Sequence, residues 1–321
     1  MLTAAIVILC TVAMVAAAEL ALRLLGVINF PIFDANARIG YIPKPQQIGV
    51  FAGRTAWEFN ERSMGTWRPF EPGSNDIVLV GDSVVYGGTN YRAFERLGPQ
   101  LEFATGTMVW PVSTPSWAFQ NELQYLLDNP DVLAAAGRLV LVVNREDFGA
   151  PASWRSDLTH PRSRPRSALV YVIEKAIIRR IYKRKLVLKD QYRVPRASYV
   201  DMFREVATRF GKPVDVVFYS HRDDFIAGNY RAAPALDDLE REGATVHLAT
   251  TSDNWSVEFY ADTIHPTPDG ARKLARTMAA ALGYQPVTRL APTSATQSGD
   301  YHATLSQTQG APMPLLNAGA G

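Results

Sequence analysis

Five short apolar segments, separated by stretches of helical periodicity, constrain the fold of this chain more than any other feature. They are Asp76–Val80, Thr107–Val112, Arg138–Asn144, Val214–Ser220 and Thr245–Ala249. Nearly continuous hydrophobicity is typical of parallel strands that are covered on both faces. The intervening crossover helices are predicted at Trp117–Leu127, Tyr199–Phe210 and Ala235–Glu242. This alternation predicts a three-layer, doubly wound α/β domain with a mostly parallel five-stranded sheet over residues 76–285.

The last predicted helix is delimited at both ends. Thr267 suits the N-cap, Pro268 suits the first helical position, and Asp269 suits the positive end of the helix dipole. Helix-forming residues continue to Leu282, and Gly283 follows as a C-terminal stop. The domain is therefore expected to end soon after this helix.

An apolar segment precedes the domain. Residues 1–18 carry no charged side chain, and only Glu19 and Arg23 interrupt the apolar stretch that continues to Val27. A transmembrane helix needs about 20 apolar residues, so residues 1–27 are predicted to form a membrane anchor. Glu19 and Arg23, spaced four residues apart, would pair where the helix leaves the bilayer. A signal peptide cleaved after Ala18 and a buried core helix are the alternatives.

Three further segments differ in composition from the domain. Residues 28–75 are rich in proline, glycine and polar residues and are interpreted as a linker that becomes irregular structure. Residues 286–321 lack periodicity and are predicted to be a disordered tail. Between positions 161 and 196, twelve lysines or arginines face only two acids. This basic insertion is a solvated helical segment or a surface for an anionic polymer or lipid headgroups.

Charge and cysteine content exclude several classes of protein. The 321 residues carry a formal net charge of +2 and a single cysteine, Cys10. One cysteine excludes an intrachain disulfide and a cysteine-based metal site. The balanced charge gives no indication of a nucleic-acid partner. No cofactor or metal is expected.

The first strand ends in an unusual way. The segment from Ile77 reads IVLVGDSVVYGG, so that Ser83 follows the strand and glycines stand on either side of it. Ligands of open parallel sheets bind beyond the carboxyl ends of the strands. Gly81 permits a tight turn there, and Gly87 permits close approach of a ligand. A serine in this place is a candidate nucleophile, and a nucleophilic serine needs a base.

A candidate base lies near the end of the domain. The segment DTIHPT places Asp262 three residues before His265, so that the carboxylate can orient the imidazole toward Ser83. His221 follows the fourth strand and is the alternative base or a residue that lines the cleft. Asp82 is expected to brace the turn at Ser83 or to contact substrate. A capped helix start with an incidental histidine is the structural alternative for this segment.

Taken together, these two segments resemble the SGNH/GDSL hydrolases over roughly residues 76–285. Gly81-Asp82-Ser83 is similar to the first block of that family, and Asp262-Thr263-Ile264-His265 is similar to the last. The resemblance implies a flavodoxin-like α/β/α fold. It also implies a triad of Ser83, His265 and Asp262 that acts on ester bonds.

The family resemblance further implies an oxyanion hole. Its donors would be the backbone N–H groups of Ser83 and Ser116 together with the side chain of Asn144, which ends the third strand. Ser116 stands where the family has a glycine. A side chain is expected to crowd the site at this position.

The anchor and one segment near the end of the domain, FYADTIHPTPDGARKLA, resemble membrane-tethered bacterial SGNH/GDSL proteins associated with polysaccharide O-acetylation. That likeness implies a serine esterase or O-acyltransferase that acts on carbohydrate acyl esters, mainly acetyl, outside the cytoplasm in the periplasm or at the cell surface. One alternative is a non-catalytic, polysaccharide-binding scaffold, and another is a lipid-directed esterase or thioesterase.

Overall fold

The chain is described by a computed structural model that covers residues 2–53, 55–88, 91–182, 190–252 and 254–285. The predicted tail at 286–321 and the most basic part of the insertion, at 183–189, lie outside these residues. The helices are α1 Leu2–Leu24, α2 Ser83–Tyr86, α3 Leu97–Thr105, α4 Phe119–Asp128, α5 Pro130–Ala135, α6 Ala168–Tyr182, α7 Tyr199–Phe210, α8 Arg222–Ile226, α9 Ala235–Arg241 and α10 Pro268–Ala281. The strands are β1 Phe33–Asn36, β2 Gly40–Pro43, β3 Gln47–Phe51, β4 Thr55–Phe59, β5 Ile77–Gly81, β6 Val109–Ser113, β7 Arg138–Val143, β8 Val214–Phe218 and β9 Thr245–Leu248.

The central sheet confirms the predicted fold class. Its five strands are all parallel and stand in the order β6-β5-β7-β8-β9. This is the flavodoxin-like order 2-1-3-4-5. Each strand corresponds to a predicted apolar segment, and its ends differ from the predicted ones by at most two residues. The order changes direction at β5, and the crevice at its carboxyl end is where such sheets bind ligands.

Both faces of β5 are covered, which explains why its sequence is continuously apolar. Val78 and Val80 belong to the core beneath α4, α5 and α7. Ile77 and Leu79 belong to the core on the opposite face, beneath α3 and α10. Full burial of a Val, Leu or Ile side chain contributes about 1.5–3 kcal/mol. The strand that carries Ser83 is thus held from both sides.

Residues 28–75 are more ordered than a linker. They contain two antiparallel strand pairs, β1 with β2 and β3 with β4. Aromatic side chains of these strands are buried, with Tyr41 and Trp57 each only 2% exposed. Phe30, Phe33 and Phe59 are buried as well, whereas Trp67 is exposed. Much of the aromatic content of this segment is therefore part of the core, and the expectation of irregular linker structure is wrong here.

The N-terminal helix α1 is long and apolar enough to cross a membrane. It contains 23 residues, none of them buried, and its most apolar window has a mean hydropathy of 2.4. Its last turns contact α6 through Glu19. The Glu19 carboxylate accepts hydrogen bonds from the Ala168 and Leu169 N–H groups at 2.9 and 2.8 Å, and another from the Ser167 hydroxyl at 2.8 Å. Glu19 therefore caps α6, a contact that the sequence did not indicate.

Candidate active site

The turn that presents Ser83 depends on close packing at the end of β5. A Cβ atom on Gly81 would lie 2.5 Å from Cγ2 of Val85 and 3.1 Å from the Val142 carbonyl oxygen. Asp82 is the N-cap of α2 and accepts the Val84 N–H on Oδ1 at 2.8 Å. Ser83 is consequently fixed as the first residue of a one-turn helix at the carboxyl edge of the sheet. Asp82 braces this turn.

Gly87 ends the same one-turn helix. Its φ of +79° is in the left-handed region, and its N–H donates to the Ser83 carbonyl at 2.9 Å. An added Cβ would lie 2.8 Å from Cγ of Arg96. The structure thus gives Gly87 a capping and packing role. Contact between Gly87 and a substrate stays a prediction.

The structure brings Ser83, His265 and Asp262 together across 182 positions of sequence. The His265 Nε2 atom lies 2.9 Å from Ser83 Oγ, and His265 Nδ1 lies 2.8 Å from Asp262 Oδ2. The other Asp262 oxygen accepts the backbone N–H groups of Ile264 and His265 at 2.9 and 2.8 Å. Those two bonds fix the carboxylate within its own turn, so that it orients the imidazole toward the serine.

The acid–base pair of this constellation faces solvent. The side chains of His265 and Asp262 are 39% and 55% exposed. Burial of Asp262 on its own would raise its pKa, but the hydrogen bonds from Ile264, His265 and the imidazole outweigh that effect and hold the pKa below its ordinary value. Asp262 is therefore ionised at neutral pH and stabilises a positive charge on the adjacent ring.

Asn144 lies behind the serine turn and is only 3% exposed. Its Oδ1 accepts the Glu146 N–H at 2.8 Å, which fixes the orientation of the amide. Its Nδ2 donates to Asp147 Oδ2 at 2.8 Å and, over a longer distance of 3.3 Å, to Asp82 Oδ2. Ser83 Oγ also lies 3.3 Å from Asp82 Oδ2. Asn144 is thus close to the nucleophile, and both of its N–H groups point at carboxylates.

Two buried acids near the site were not identified from the sequence. Asp147 accepts both the backbone N–H and the side-chain amide of Asn144, at 2.7 and 2.8 Å. Glu122 on α4 is fully buried, and neither of its carboxyl oxygens has a hydrogen-bond partner among the described residues. Burial raises the pKa of Glu122 and of Asp147 well above the ordinary value, and the proximity of Asp82 raises both further. A charged residue among the apolar residues of α4 was the one available signal.

Ser116 adopts a backbone conformation that favours glycine. Its φ is +63°, in the left-handed region, within a turn that the Trp117 N–H closes on the Thr114 carbonyl at 3.3 Å. The residue is exposed. The nearby Tyr41 hydroxyl donates to the carbonyl of the preceding residue, Pro115, at 2.8 Å. Crowding of the site by the Ser116 side chain stays a prediction. The position is the strained one at which glycine is preferred.

His221 does not contact Ser83. It is 4% exposed, and its Nε2 lies 3.3 Å from Asn144 Oδ1, which gives this nitrogen the role of donor. Burial, together with the positive charge of Arg145, lowers the pKa of His221 and favours the neutral ring. Its position is thus behind Asn144, and the candidate base next to the serine is His265.

No protein-family model matches the sequence, and no curated protein matches it. The chain is similar to several solved structures, of which three are described. A member of the lipolytic G-D-S-L family from Veillonella parvula shares 13% identity over 67% of this chain and 99% of its own, with a TM-score of 0.38. Axe2, an acetylxylan esterase from Geobacillus stearothermophilus, shares 13% identity over 68% and 99%, with a TM-score of 0.37.

The third is the salicylyl-acyltransferase SsfX3 from a tetracycline biosynthetic pathway. It shares 13% identity over 68% of this chain and 58% of its own, with a TM-score of 0.35. The chemistry proposed below rests on the side chains of this chain itself.

Proposed function

We propose that this chain is a serine esterase or O-acyltransferase of the SGNH type. The observation that carries the proposal is the continuous hydrogen-bonded path from Ser83 Oγ through His265 to Asp262, at 2.9 and 2.8 Å. A serine hydroxyl becomes nucleophilic when an adjacent base removes its proton, and a third group must hold that base in place. The three side chains meet both requirements at the carboxyl edge of a parallel sheet.

In the proposed reaction, Ser83 Oγ attacks the carbonyl carbon of an ester while His265 Nε2 takes the hydroxyl proton. The bond from the carbonyl carbon to the alcohol oxygen then breaks, and His265 returns the proton to the departing alcohol. Water or a second alcohol attacks the resulting acyl-serine by the same steps in reverse. Asp262 stays ionised and stabilises the protonated ring. The nature of the second attacker decides between hydrolysis and transfer.

The developing oxyanion requires donors beside Ser83. The proposed donors are the backbone N–H groups of Ser83 and Ser116 and the Nδ2 of Asn144. The 3.3 Å bond from Asn144 to Asp82 is long, so the oxyanion can replace Asp82 as its acceptor while Asp147 keeps the amide in place. A single donor of this kind is worth about 2.7–4 kcal/mol of barrier.

Carbohydrate acetyl esters are the proposed substrates, on the basis of the sequence resemblance. The exposure of His265 and Asp262, at 39% and 55% of their side chains, supports access by an ester on a polymer. The test is turnover of nitrophenyl acetate, butyrate and octanoate and of acetylated oligosaccharides by the full chain. We expect preference for acetyl and complete loss in Ser83→Ala. Preference for octanoate would favour a lipid-directed esterase.

The matched control is Ser198→Ala. Ser198 caps α7 by accepting the Asp201 N–H, and it lies outside the site. We expect this variant to lose about 1 kcal/mol of stability and no activity. Polysaccharide binding that is unchanged in Ser83→Ala, with no ester turnover by the wild type, would instead favour a scaffold protein.

We further propose that α1 anchors the protein and that α6 lies on the same bilayer, with the active site outside the cytoplasm. The apolar side chains of Val170, Ile173 and Ile177 are 52%, 48% and 52% exposed on one face of α6. Glu19 holds the start of α6 against the end of α1. The basic insertion that surrounds α6 supports contact with anionic headgroups.

A fluorophore on α6 tests this placement. In proteoliposomes of a Cys10→Ser background, an environment-sensitive label at Ile173→Cys should be quenched by lipids that carry spin labels on their chains. The same label at Thr208→Cys, on the exposed face of α7, should not be quenched. Equal behaviour at the two positions would contradict the proposal. A label on α6 whose emission reports an apolar environment, but which the spin-labelled lipids do not quench, would indicate contact with another protein chain.

A further inference from the structure

A cavity of about 170 Å³ lies between the N-terminal strands and α6. Its walls are mainly aromatic side chains, which come from the segment after α1, from β1, β3 and β4, and from α2 and α6. They are Phe30, Phe33, Phe51, Trp57, Tyr86 and Tyr171. Tyr86 and Gly88 belong to the wall, so that the cavity adjoins the one-turn helix that begins with Ser83. It nevertheless includes none of the three triad residues.

Arg96 also lines this cavity and is only 7% exposed. Its Nη2 donates to the Ala56 carbonyl at 3.0 Å, whereas its buried Nε has no hydrogen-bond partner among the described residues. The guanidinium carbon lies 5.8 Å from the centroid of the Tyr86 ring. Within the described part of the chain, no ion pair to Arg96 is formed at 4.0 Å or less.

A buried charge without a counter-ion is costly. Other arginines of the described chain have a carboxylate partner, as in Arg138 with Asp215 at 2.7 Å and Arg68 with Glu102 at 2.6 Å. The face of Tyr86 offsets part of the cost at Arg96 through a cation–π contact. The face of the Tyr86 ring does not accept the Nε–H, which lies in the plane of the guanidinium. An anion in the cavity would compensate the charge of Arg96.

We propose that the cavity binds an anionic amphiphile: a phosphate or carboxylate on Arg96, joined to an acyl or aryl group that packs against the aromatic walls. Guanidinium binds such anions with two parallel hydrogen bonds. Lys175 of α6 is a second cation of the lining. Because Arg96 packs against Gly87, at the end of the serine turn, the ligand would also support the position of that turn. The proposal does not depend on the reactivity of Ser83.

Hexyl phosphate is a suitable probe, and calorimetry of the full chain in dodecyl maltoside measures its binding. We expect saturable binding at least ten times tighter than that of inorganic phosphate or of hexanol. Arg96→Met should fold and should weaken binding at least tenfold, and Arg96→Lys should weaken it less. Arg92→Met, an exposed arginine four positions earlier, is the matched control and should bind as the wild type does.

Ser83→Ala should bind hexyl phosphate normally, so that a failure of the proposed esterase activity and a failure of this site are distinguishable. Native mass spectrometry identifies the source of the anion. A retained phospholipid that is lost in Arg96→Met would assign it to the bilayer, whereas an empty wild type that binds hexyl phosphate would assign it to a soluble amphiphile. Binding no tighter than that of hexanol, or undiminished in Arg96→Met, would overturn the proposal.

Discussion

The two groups of ionisable residues around Ser83 lie in opposite environments. Asp262 and His265 face solvent on a short turn, and hydrogen bonds hold the pKa of Asp262 below its ordinary value. Glu122 and Asp147 are buried behind the serine turn, and desolvation raises the pKa of each well above its ordinary value. The exposed group keeps a charge that can act on a reacting proton. Burial disfavours the charged form of the second group, which is adjacent to the residues that shape the turn.

This difference indicates that the two groups have different roles, one in the reaction and the other in stability. The exposed pair is in contact with solvent, which screens its charges, so that removal of one partner costs the fold little. The buried acids cannot ionise cheaply, and one of them fixes Asn144 through two hydrogen bonds. Substitutions in the exposed pair should therefore change the reaction more than stability. Substitutions in the buried group should change stability and its dependence on pH.

The largest effect is expected at His265. His265→Gln removes the base while keeping a polar side chain, and kcat for nitrophenyl acetate should fall by about 10³-fold or more. His247→Gln is the control. His247 lies on β9, where its Nε2 is 2.8 Å from Asp215 Oδ1 on β8, and it is not part of the triad. That variant should lose stability and keep its kcat. Similar losses of kcat in both variants would point to a structural role for His265.

Asn144→Ala should have the next largest effect. Loss of an oxyanion donor is expected to lower kcat by about 10²–10³-fold. Because Asn144 also caps the turn at residues 145–148, unfolding in urea must be measured alongside. A fall in stability with kcat unchanged would show that Asn144 is only structural. A fall in kcat for a folded variant, with KM little changed, supports its action on the transition state.

The buried acids should appear in the pH dependence of stability. A raised pKa means that the folded chain binds the proton more tightly than the unfolded chain. The contribution of each protonated acid to the stability of the fold is therefore complete below about pH 4. It is lost as the pH rises through the pKa of that acid in the folded chain. Glu122→Gln cannot ionise, so its stability should decline less toward alkaline pH than that of the wild type. The exposed Glu205→Gln serves as the control and should follow the wild type. Identical curves for Glu122→Gln and the wild type would contradict the raised pKa of Glu122.

The smallest effect is expected at Ser116. A left-handed conformation costs a residue with a side chain about 1–2 kcal/mol, and the greater freedom of unfolded glycine offsets about 0.5–1 kcal/mol of the gain. Ser116→Gly should thus be slightly more stable in urea, with kcat within about threefold of the wild type. Ser198→Gly, at a φ of −73°, should gain nothing. A large loss of activity in Ser116→Gly would show that the serine side chain takes part in the site.

The sheet and the triad partners were accessible from the sequence for physical reasons. A strand covered on both faces must be continuously apolar, so the segments around Val80 and Val142 were evident. The Asp262–His265 pair is local and therefore visible as a three-residue spacing. These features depend on contacts that are close in sequence or on burial that is uniform along a strand.

The features that were missed depend on distant contacts. The burial of Trp57 and Tyr41 arises from packing against the domain, whereas their own segment resembles a linker in composition. Glu122 was not identified, because a charged residue within a helix does not by itself show that its carboxyl is buried without a hydrogen-bond partner in the described chain. The missing counter-ion of Arg96 is likewise a property of the folded chain, and no pattern in the sequence reports it.

The most direct test of the central claim is covalent labelling of the full chain with a fluorophosphonate, followed by mapping of the modified peptide by mass spectrometry. A serine activated by His265 should be modified at Ser83 alone, and His265→Gln should label at least about 100 times more slowly. A folded wild-type chain that is not modified at Ser83, or a His265→Gln variant that labels as fast as the wild type, would contradict the account.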